Sequence, residues 1–88
     1  MIDIDIKNQL ISRTAKVIMF VDKNPKINIK EISRALNIDY NFVSKIIVRC
    51  EERNFISSEM VSREKRVKLN KKGEELSEAI QVIEKLVE

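Results

Sequence analysis

The stretch Asn28–Asn54, NIKEISRALNIDYNFVSKIIVRCEERN, contains two short amphipathic segments separated by a polar break. The first segment opens with Asn28 and has Glu31 three residues later. This is the spacing of a capping box, in which each side chain satisfies a backbone N–H group of the other residue. Apolar residues then recur at helical spacing as far as Leu36. The pattern predicts a helix over residues 29–37.

Three residues, Asn37, Ile38 and Asp39, interrupt this pattern. Asn and Asp favour turns, and Asp39 is placed to cap a following helix. Ile38 is apolar in the middle of the turn, which indicates that the turn is held against a core. A second helix is predicted over residues 40–53. Asn54 is placed to end it in the left-handed conformation, which Asn can adopt in place of Gly.

The second helix has one apolar face and one polar face. When the sequence is wound at 3.6 residues per turn, one side carries Phe42, Val43, Ile46, Ile47 and Cys50. The opposite side carries Asn41, Lys45, Val48 and Glu52, with Ser44 and Arg49 beside them. Two short helices with an apolar pivot between them, the second having a cationic outer face, are typical of a helix-turn-helix with a recognition helix.

The preceding residues 7–22 are predicted to form a helix with a wide apolar face. Met19 and Phe20 make its end apolar on almost every side, so this helix must bury two surfaces. Two explanations stay open: the second surface contacts another subunit, or it covers a gap in the chain's own core. Residues 1–6 alternate apolar and acidic side chains and fit a short strand or a terminal arm equally well.

The residues after the second helix, 55–69, are predicted to form a β-hairpin. The sequence from Arg66 to Leu69 alternates cationic and apolar side chains, as a half-buried strand does. The polar connection Ser62–Lys65 contains no Gly, so we expect a loop of four or more residues and not a two-residue turn. The cations expected at its tip are Arg63, Lys65 and Arg66. A hairpin directly after a recognition helix is the wing of a winged helix.

A final helix is predicted over residues 71–87, with Asn70 as its cap and acids near its start. A domain this small has little else to bury its long apolar stripe, so pairing with a second copy of the chain is expected. The alternative is that the helix folds back on the first helix of its own chain. The predicted dimer interface consists of Met19, Phe20, Leu76, Ala79, Ile80, Ile83, Leu86 and Val87.

The length and composition of the chain limit its possible folds and its expected cellular location. A chain of 88 residues predicts one domain, residues 1–88, with a mainly α fold and a small β-hairpin (α+β). With 43% hydrophobic and 35% charged residues, the chain is typical of a globular protein. No apolar run approaches the roughly 18 residues that cross a bilayer. The N-terminus lacks the pattern of a signal peptide, so we expect a cytoplasmic protein without membrane contact.

The residue types also exclude several kinds of chemistry. Cys50 is the only cysteine, and the sequence contains no histidine. A single thiol forms no intrachain disulfide, and thiolate or imidazole metal sites need several ligands. No spacing places a nucleophile beside a base. We therefore expect no catalytic residue, no metal and no cofactor, and we expect Cys50 to be a core thiol.

The net charge of +3 is distributed unevenly along the chain. Residues 24–72 hold twelve cations and six acids, whereas residues 73–88 hold one cation and five acids. The central part is therefore suited to a polyanion, and the C-terminal part is not.

The order of the predicted elements resembles a winged helix-turn-helix, and several stretches resemble the MarR family of dimeric transcription regulators. Residues 28–38 are similar to the entry into that family's helix-turn-helix, and Val43-Ser44 matches the start of its recognition-helix core. Arg63 with residues 67–73 resembles the wing arginine followed by Leu-Thr-x-x-Gly, with Asn70 in place of Thr. The resemblance covers roughly residues 28–73. Minimal proteins of this type also resemble regulators and chromatin-like proteins of archaea and their viruses. For a viral protein, the expected location is the cytoplasm of the host cell.

The first hypothesis is a homodimeric double-stranded DNA-binding protein that regulates transcription. Amide and cationic side chains can bond adenine and guanine edges in the major groove. The residues expected there are Tyr40, Asn41, Ser44, Lys45 and Arg49. The wing residues Arg63, Lys65 and Arg66 are expected at the minor groove or the backbone, and Lys30 and Arg34 at the backbone.

Two alternatives stay open. Lys45 and Arg49 could contact phosphates only, which would make the protein a non-specific architectural chromatin component. The winged helix could also be a protein-interaction module. We do not expect a small-molecule effector, although the sequence leaves a ligand between subunits open.

Overall fold

The structure is a computed structural model that describes residues 11–88. The alternatives for residues 1–6, and the first part of the helix predicted over residues 7–22, lie outside the described residues. The elements follow one another as α1 (Arg13–Lys23), β1 (Ile27–Asn28), α2 (Ile29–Leu36), α3 (Tyr40–Glu52), β2 (Ile56–Val61), β3 (Glu64–Leu69) and α4 (Lys71–Leu86).

The start of α1 differs from the prediction. Ile11 and Ser12 are not helical, and the helix begins at Arg13. Ser12 has an extended backbone, and its hydroxyl accepts a hydrogen bond from the Ala15 N–H group at 3.2 Å. Ser is among the residues that cap helices best. The helix therefore begins after Ser12, although the apolar pattern of the sequence extends further towards the N-terminus.

The capping box at the start of α2 is confirmed. The Glu31 N–H group donates to Asn28 Oδ1 at 2.8 Å, and the Asn28 N–H group donates to Glu31 Oε1 at 3.3 Å. Asn37 ends α2 in the left-handed conformation with a φ of 54°. Ile38 is buried, and the Ser33 hydroxyl donates to its carbonyl oxygen at 2.6 Å. The turn is therefore held against the core, as the sequence predicted.

Helix α3 packs one face into the core. Asp39 caps it by accepting from the N–H groups of two residues in its first turn. Asn54 follows the helix with a φ of 64°, the left-handed conformation expected of it. Phe42 was expected on the buried face, but 38% of its surface is exposed. It lies in the first turn, where the Arg13 guanidinium covers its ring at 5.3 Å from the centroid.

The three strands form an antiparallel sheet in the order β1-β3-β2. Pairing of β2 with β3 extends from Ile56↔Leu69 to Val61↔Glu64, so Ser62 and Arg63 alone form the turn. Their φ angles are 50° and 71°, and positive values at both central residues are what a type I′ turn requires. The expected loop of four or more residues is therefore wrong, because the strands pair to their ends.

This register also corrects the position of the wing cations. Lys65 and Arg66 lie within β3, and Arg63 is the cation at the tip.

Asn70 occupies the cap position of α4, but its side chain makes no capping bond. Its amide group donates to Asn54 Oδ1 at 2.8 Å and to the Asn54 carbonyl oxygen at 3.2 Å. Its Oδ1 accepts from the Ser57 hydroxyl. The Asn70 side chain therefore joins the end of α3 to the wing, which corrects its predicted role as a helix cap.

Helix α4 crosses α1 of the same chain, as the alternative explanation of its apolar stripe stated. Ser77 is fully buried at this crossing, and its hydroxyl donates to Asp22 Oδ2 at 2.8 Å. Ile80 is buried in the core and not on the outer surface, because it faces α1.

The core unites residues from α1, α2, α3, the sheet and α4. The predicted α+β winged-helix fold is therefore confirmed. None of the helices in residues 11–88 is long and apolar enough to cross a membrane.

Candidate nucleic-acid interface

The outer face of α3 is polar and solvent-exposed. The residues exposed along it are Asn41, Lys45, Val48, Arg49 and Glu52, and Ser44 is half-buried beside them. The face exists because Val43, Ile46 and Ile47 fix the opposite side of α3 in the core. Within residues 11–88, neither Lys45 nor Arg49 forms an ion pair, so both side chains can contact a ligand.

A cleft separates the start of α3 from the wing. It has a volume of about 370 Å³ and brings together four of the predicted site residues, Lys30, Tyr40, Arg63 and Lys65. Half of the Tyr40 surface is exposed there, and Arg63 is exposed at the wing tip. Cations from α2 and from the wing thus line one cleft together with Tyr40, the first residue of α3.

The wing cations differ in their surroundings. Lys65 Nζ lies 2.7 Å from Glu51 Oε1, at the end of α3. Arg66 donates to the Lys26 carbonyl oxygen at 3.1 Å and lies 3.3 Å from Glu64 Oε2. Two of the three predicted wing cations therefore have partners within the chain. Arg34 is exposed in the last turn of α2 and does not line the cleft.

The contact with Lys65 favours the ionised form of the Glu51 carboxyl group. Partial burial opposes the charged form of Glu51, but hydrogen bonds from Lys65 and Ser58 and the charge of Lys65 outweigh it. The pKa of Glu51 is therefore lowered from its ordinary value.

A second depression, a groove with a volume of about 370 Å³, lies between α1, α3 and the start of α4. Its floor is apolar, and its rim carries Lys45, Arg49 and Arg53. Cys50 lies at the floor and is buried, as expected for a core thiol. Burial, with the neighbouring Glu51 charge, raises the pKa of the Cys50 thiol, which favours its protonated form.

Sequence reasoning missed two residues of this region. Arg53 lies four residues after Arg49, a spacing that places both on one side of a helix, so the signal for it was present. Glu51 had no such signal, because Lys65 is 14 residues away and meets it only when the wing is folded.

The predicted dimer residues fall into two groups. Met19, Phe20 and Leu76 are partly buried and pack on the chain's own core, which Ile80 joins. Ala79, Ile83 and Leu86 face solvent, and 80% of the Leu86 surface is exposed, whereas Val87 is half-buried.

No family model matches the sequence, and no curated protein matches it. Solved structures match closely in fold. The protein AF1382 from Archaeoglobus fulgidus superposes with a TM-score of 0.83 at 22% identity, over 93% of this chain and 97% of that one. A MarR protein from Peptoclostridium difficile superposes with a TM-score of 0.80 at 20% identity, over 92% and 56% of the two chains.

The fold is that of a MarR-like winged helix. A third structure of this fold, Streptococcus pneumoniae FabT, was determined in complex with DNA. It superposes with a TM-score of 0.76 at 20% identity, over 97% of this chain and 57% of its own. The chain described here thus spans little more than half of FabT and of the MarR protein, but nearly all of AF1382.

Proposed function

We propose that this MarR-like winged helix is a homodimeric regulator of transcription that binds double-stranded DNA in the cytoplasm. The observation that carries the proposal is the exposed, cationic outer face of α3, which lies beside the cleft formed with the wing. Structures of the same fold support it, since FabT was determined with DNA.

In this proposal α3 enters the major groove. Asn41 has the donor and acceptor pair that an adenine edge requires, and Lys45 and Arg49 can donate to guanine. Tyr40 and Ser44 offer hydroxyl groups to bases or to the backbone. Val48 is exposed on the same face, where an apolar side chain can contact a thymine methyl group.

Backbone contacts fix the position of α3. Arg63 at the wing tip is placed to reach the minor groove or the flanking phosphates, and Lys30 lies in the same cleft. Lys65 and Arg66 have partners within the chain, so Arg63 is the wing cation best placed to bind phosphate. Arg34 adds positive charge further along α2.

The second copy covers the exposed part of α4. Val82, Ile83 and Leu86 present an apolar surface that one chain leaves in water. A two-fold pair through this surface buries it on both copies at once. Two recognition helices in such a dimer read half-sites one turn of DNA apart, about 34 Å, so the target is a pseudo-palindrome.

Two measurements test this function. Fluorescence anisotropy with a labelled duplex should give an affinity better than micromolar at low salt, falling steeply as salt rises because bound phosphates release counterions. Sedimentation should give a dimer, which Leu86→Lys converts to a monomer. Binding weaker than micromolar at low salt would exclude DNA binding, and equal affinity for all sequences would favour an architectural role.

A further inference from the structure

The last turn of α3 is joined to both strands of the wing by one side chain. Glu51 Oε1 accepts a hydrogen bond from Lys65 Nζ of β3 at 2.7 Å. Its other oxygen, Oε2, accepts from the Ser58 hydroxyl of β2. The Glu51 carboxylate therefore bridges the recognition helix to each strand of the hairpin.

The strand register explains why these two residues meet Glu51. Ser58 pairs with Val67, and Lys65 lies two residues before Val67, so all three side chains share one face of the hairpin. Towards the core this face carries the buried Ile56 and Val67. Beyond Val67 the apolar packing ends, and the contact with Glu51 takes its place.

A second anchor holds the wing from its other face. Asn28 at the start of α2 donates to Glu64 Oε2 at 2.9 Å. That bond does not involve α3, whereas the Glu51 contact joins α3 to the wing beyond the bonds of Asn70. The Asn28 bond means that the hairpin stays attached to the domain when Glu51 is replaced.

The contact has an electrostatic consequence. Lys65 and Glu51 form an ion pair whose side chains are 31% and 27% exposed. A carboxylate at 2.7 Å cancels most of the field that the ammonium group would present to a phosphate. Lys65 is thus withheld from DNA, although it lines the cleft beside Arg63.

We propose that Glu51 is a positioning residue for DNA recognition, which fixes the wing relative to α3 and keeps Lys65 away from phosphates. This inference rests on the proposed function. With the wing fixed, Arg63 and the outer face of α3 meet the duplex in a single arrangement, so correct bases and backbone contacts are reached together. With the wing loose, each is reached separately, and discrimination between sequences decreases.

The experiment compares Glu51→Gln, Lys65→Gln and the wild type on two labelled duplexes, one selected from a random pool by the wild type and one scrambled. Glu51→Gln should reduce the affinity ratio between the duplexes about tenfold. It should also steepen the salt dependence on the scrambled duplex by about one phosphate contact, because it releases Lys65. Lys65→Gln should reduce the ratio without changing that slope.

Glu75→Gln is the matched control, because it removes the same charge from an exposed position of α4, outside the proposed DNA-binding face. It should strengthen binding to both duplexes equally and leave the ratio unchanged. Thermal melting of each variant confirms that the fold is retained.

The results separate the two proposals. If the wild type binds neither duplex, the proposed function is wrong. If it binds selectively but Glu51→Gln keeps its ratio, or changes it as Glu75→Gln does, only the positioning role is wrong. A shallower salt slope in Lys65→Gln would show that Lys65 contacts phosphate in the wild type, and would likewise overturn the role.

Discussion

Gly73, in the first turn of α4, lies against the backbone carbonyl group of Phe55. Phe55 follows α3 and precedes β2. A Cβ atom at position 73 would lie 2.1 Å from the Phe55 oxygen and 3.0 Å from its carbonyl carbon. The Asn70 N–H group donates to the same oxygen at 2.9 Å. The start of α4 is therefore fixed against the residues that follow α3, and this close approach requires a glycine.

Replacement of Gly73 tests that packing. Gly73→Ala should destabilise the fold by about 2–3 kcal/mol, because the new methyl group overlaps backbone atoms that cannot move independently. The exposed Glu75→Ala, in the same turn, should change stability by no more than about 0.5 kcal/mol. Urea unfolding of both variants measures the difference, and equal stability would contradict the close contact.

A hydrogen bond of the buried Ser77 joins α1 and α4 where they cross. Ser77→Ala removes the hydroxyl that donates to Asp22, and Gln81 loses its bond to the same oxygen. We expect a loss of about 1–2 kcal/mol in the free energy of unfolding, because the carboxylate remains partly buried without this donor. In Asp22→Ala/Ser77→Ala the second change should add little, because Asp22→Ala has already removed the acceptor. Full additivity in this double-mutant cycle would argue against the bond.

The wing turn places Arg63 in a conformation that glycine adopts more easily. Arg63→Gly should therefore raise the free energy of unfolding by about 0.5–1 kcal/mol, since it relieves a positive φ of 71°. The same change should weaken DNA binding, because it removes the cation at the wing tip. Arg63→Lys keeps the charge and the backbone strain, so its stability should stay near that of the wild type. A stability decrease in Arg63→Gly would contradict the turn geometry.

The ion pair at Glu51 predicts a pH dependence of stability. Its pKa is lowered in the folded state from the ordinary value of 4.5, so its contribution is fully present above that value. The contribution is lost as the pH falls through the lowered folded pKa. Wild type should therefore exceed Glu51→Gln by about 0.5–1 kcal/mol near pH 7, and the difference should shrink below pH 4.5. A difference that is constant down to pH 2 would contradict the contact.

Local chemistry made much of this fold readable from the sequence. Asn28 and Glu31 bond each other three positions apart, and Asp39 accepts hydrogen bonds from residues two and three positions later. Such short spacings can be recognised in the sequence, so these bonds could be predicted. The polar and apolar sides of α3 follow from helical period alone. The sequence alone therefore predicts that Lys45 and Arg49 are exposed, and they are.

Features that depend on distant residues could not be predicted in the same way. The absence of Gly at Ser62 and Arg63 argued against a tight turn, but pairing along β2 and β3 outweighs the local backbone preference. Likewise, Ile80 belongs to a stripe that suits a dimer, yet its place in the core depends on how α4 crosses α1. The partners of Lys65 and Arg66 are set by the hairpin register, which the sequence pattern left open.

The central claim, that the outer face of α3 binds duplex DNA, is tested most directly by salt-dependent anisotropy of two double variants. Lys45→Ala/Arg49→Ala removes two cations from that face, and Lys16→Ala/Lys85→Ala removes two exposed cations from α1 and α4. The first should lose at least about tenfold in affinity and show a shallower salt slope, because a base contact contributes about 1–3 kcal/mol and each phosphate contact adds to the slope. The second should bind nearly as the wild type does. Equal losses in the two variants would contradict the account.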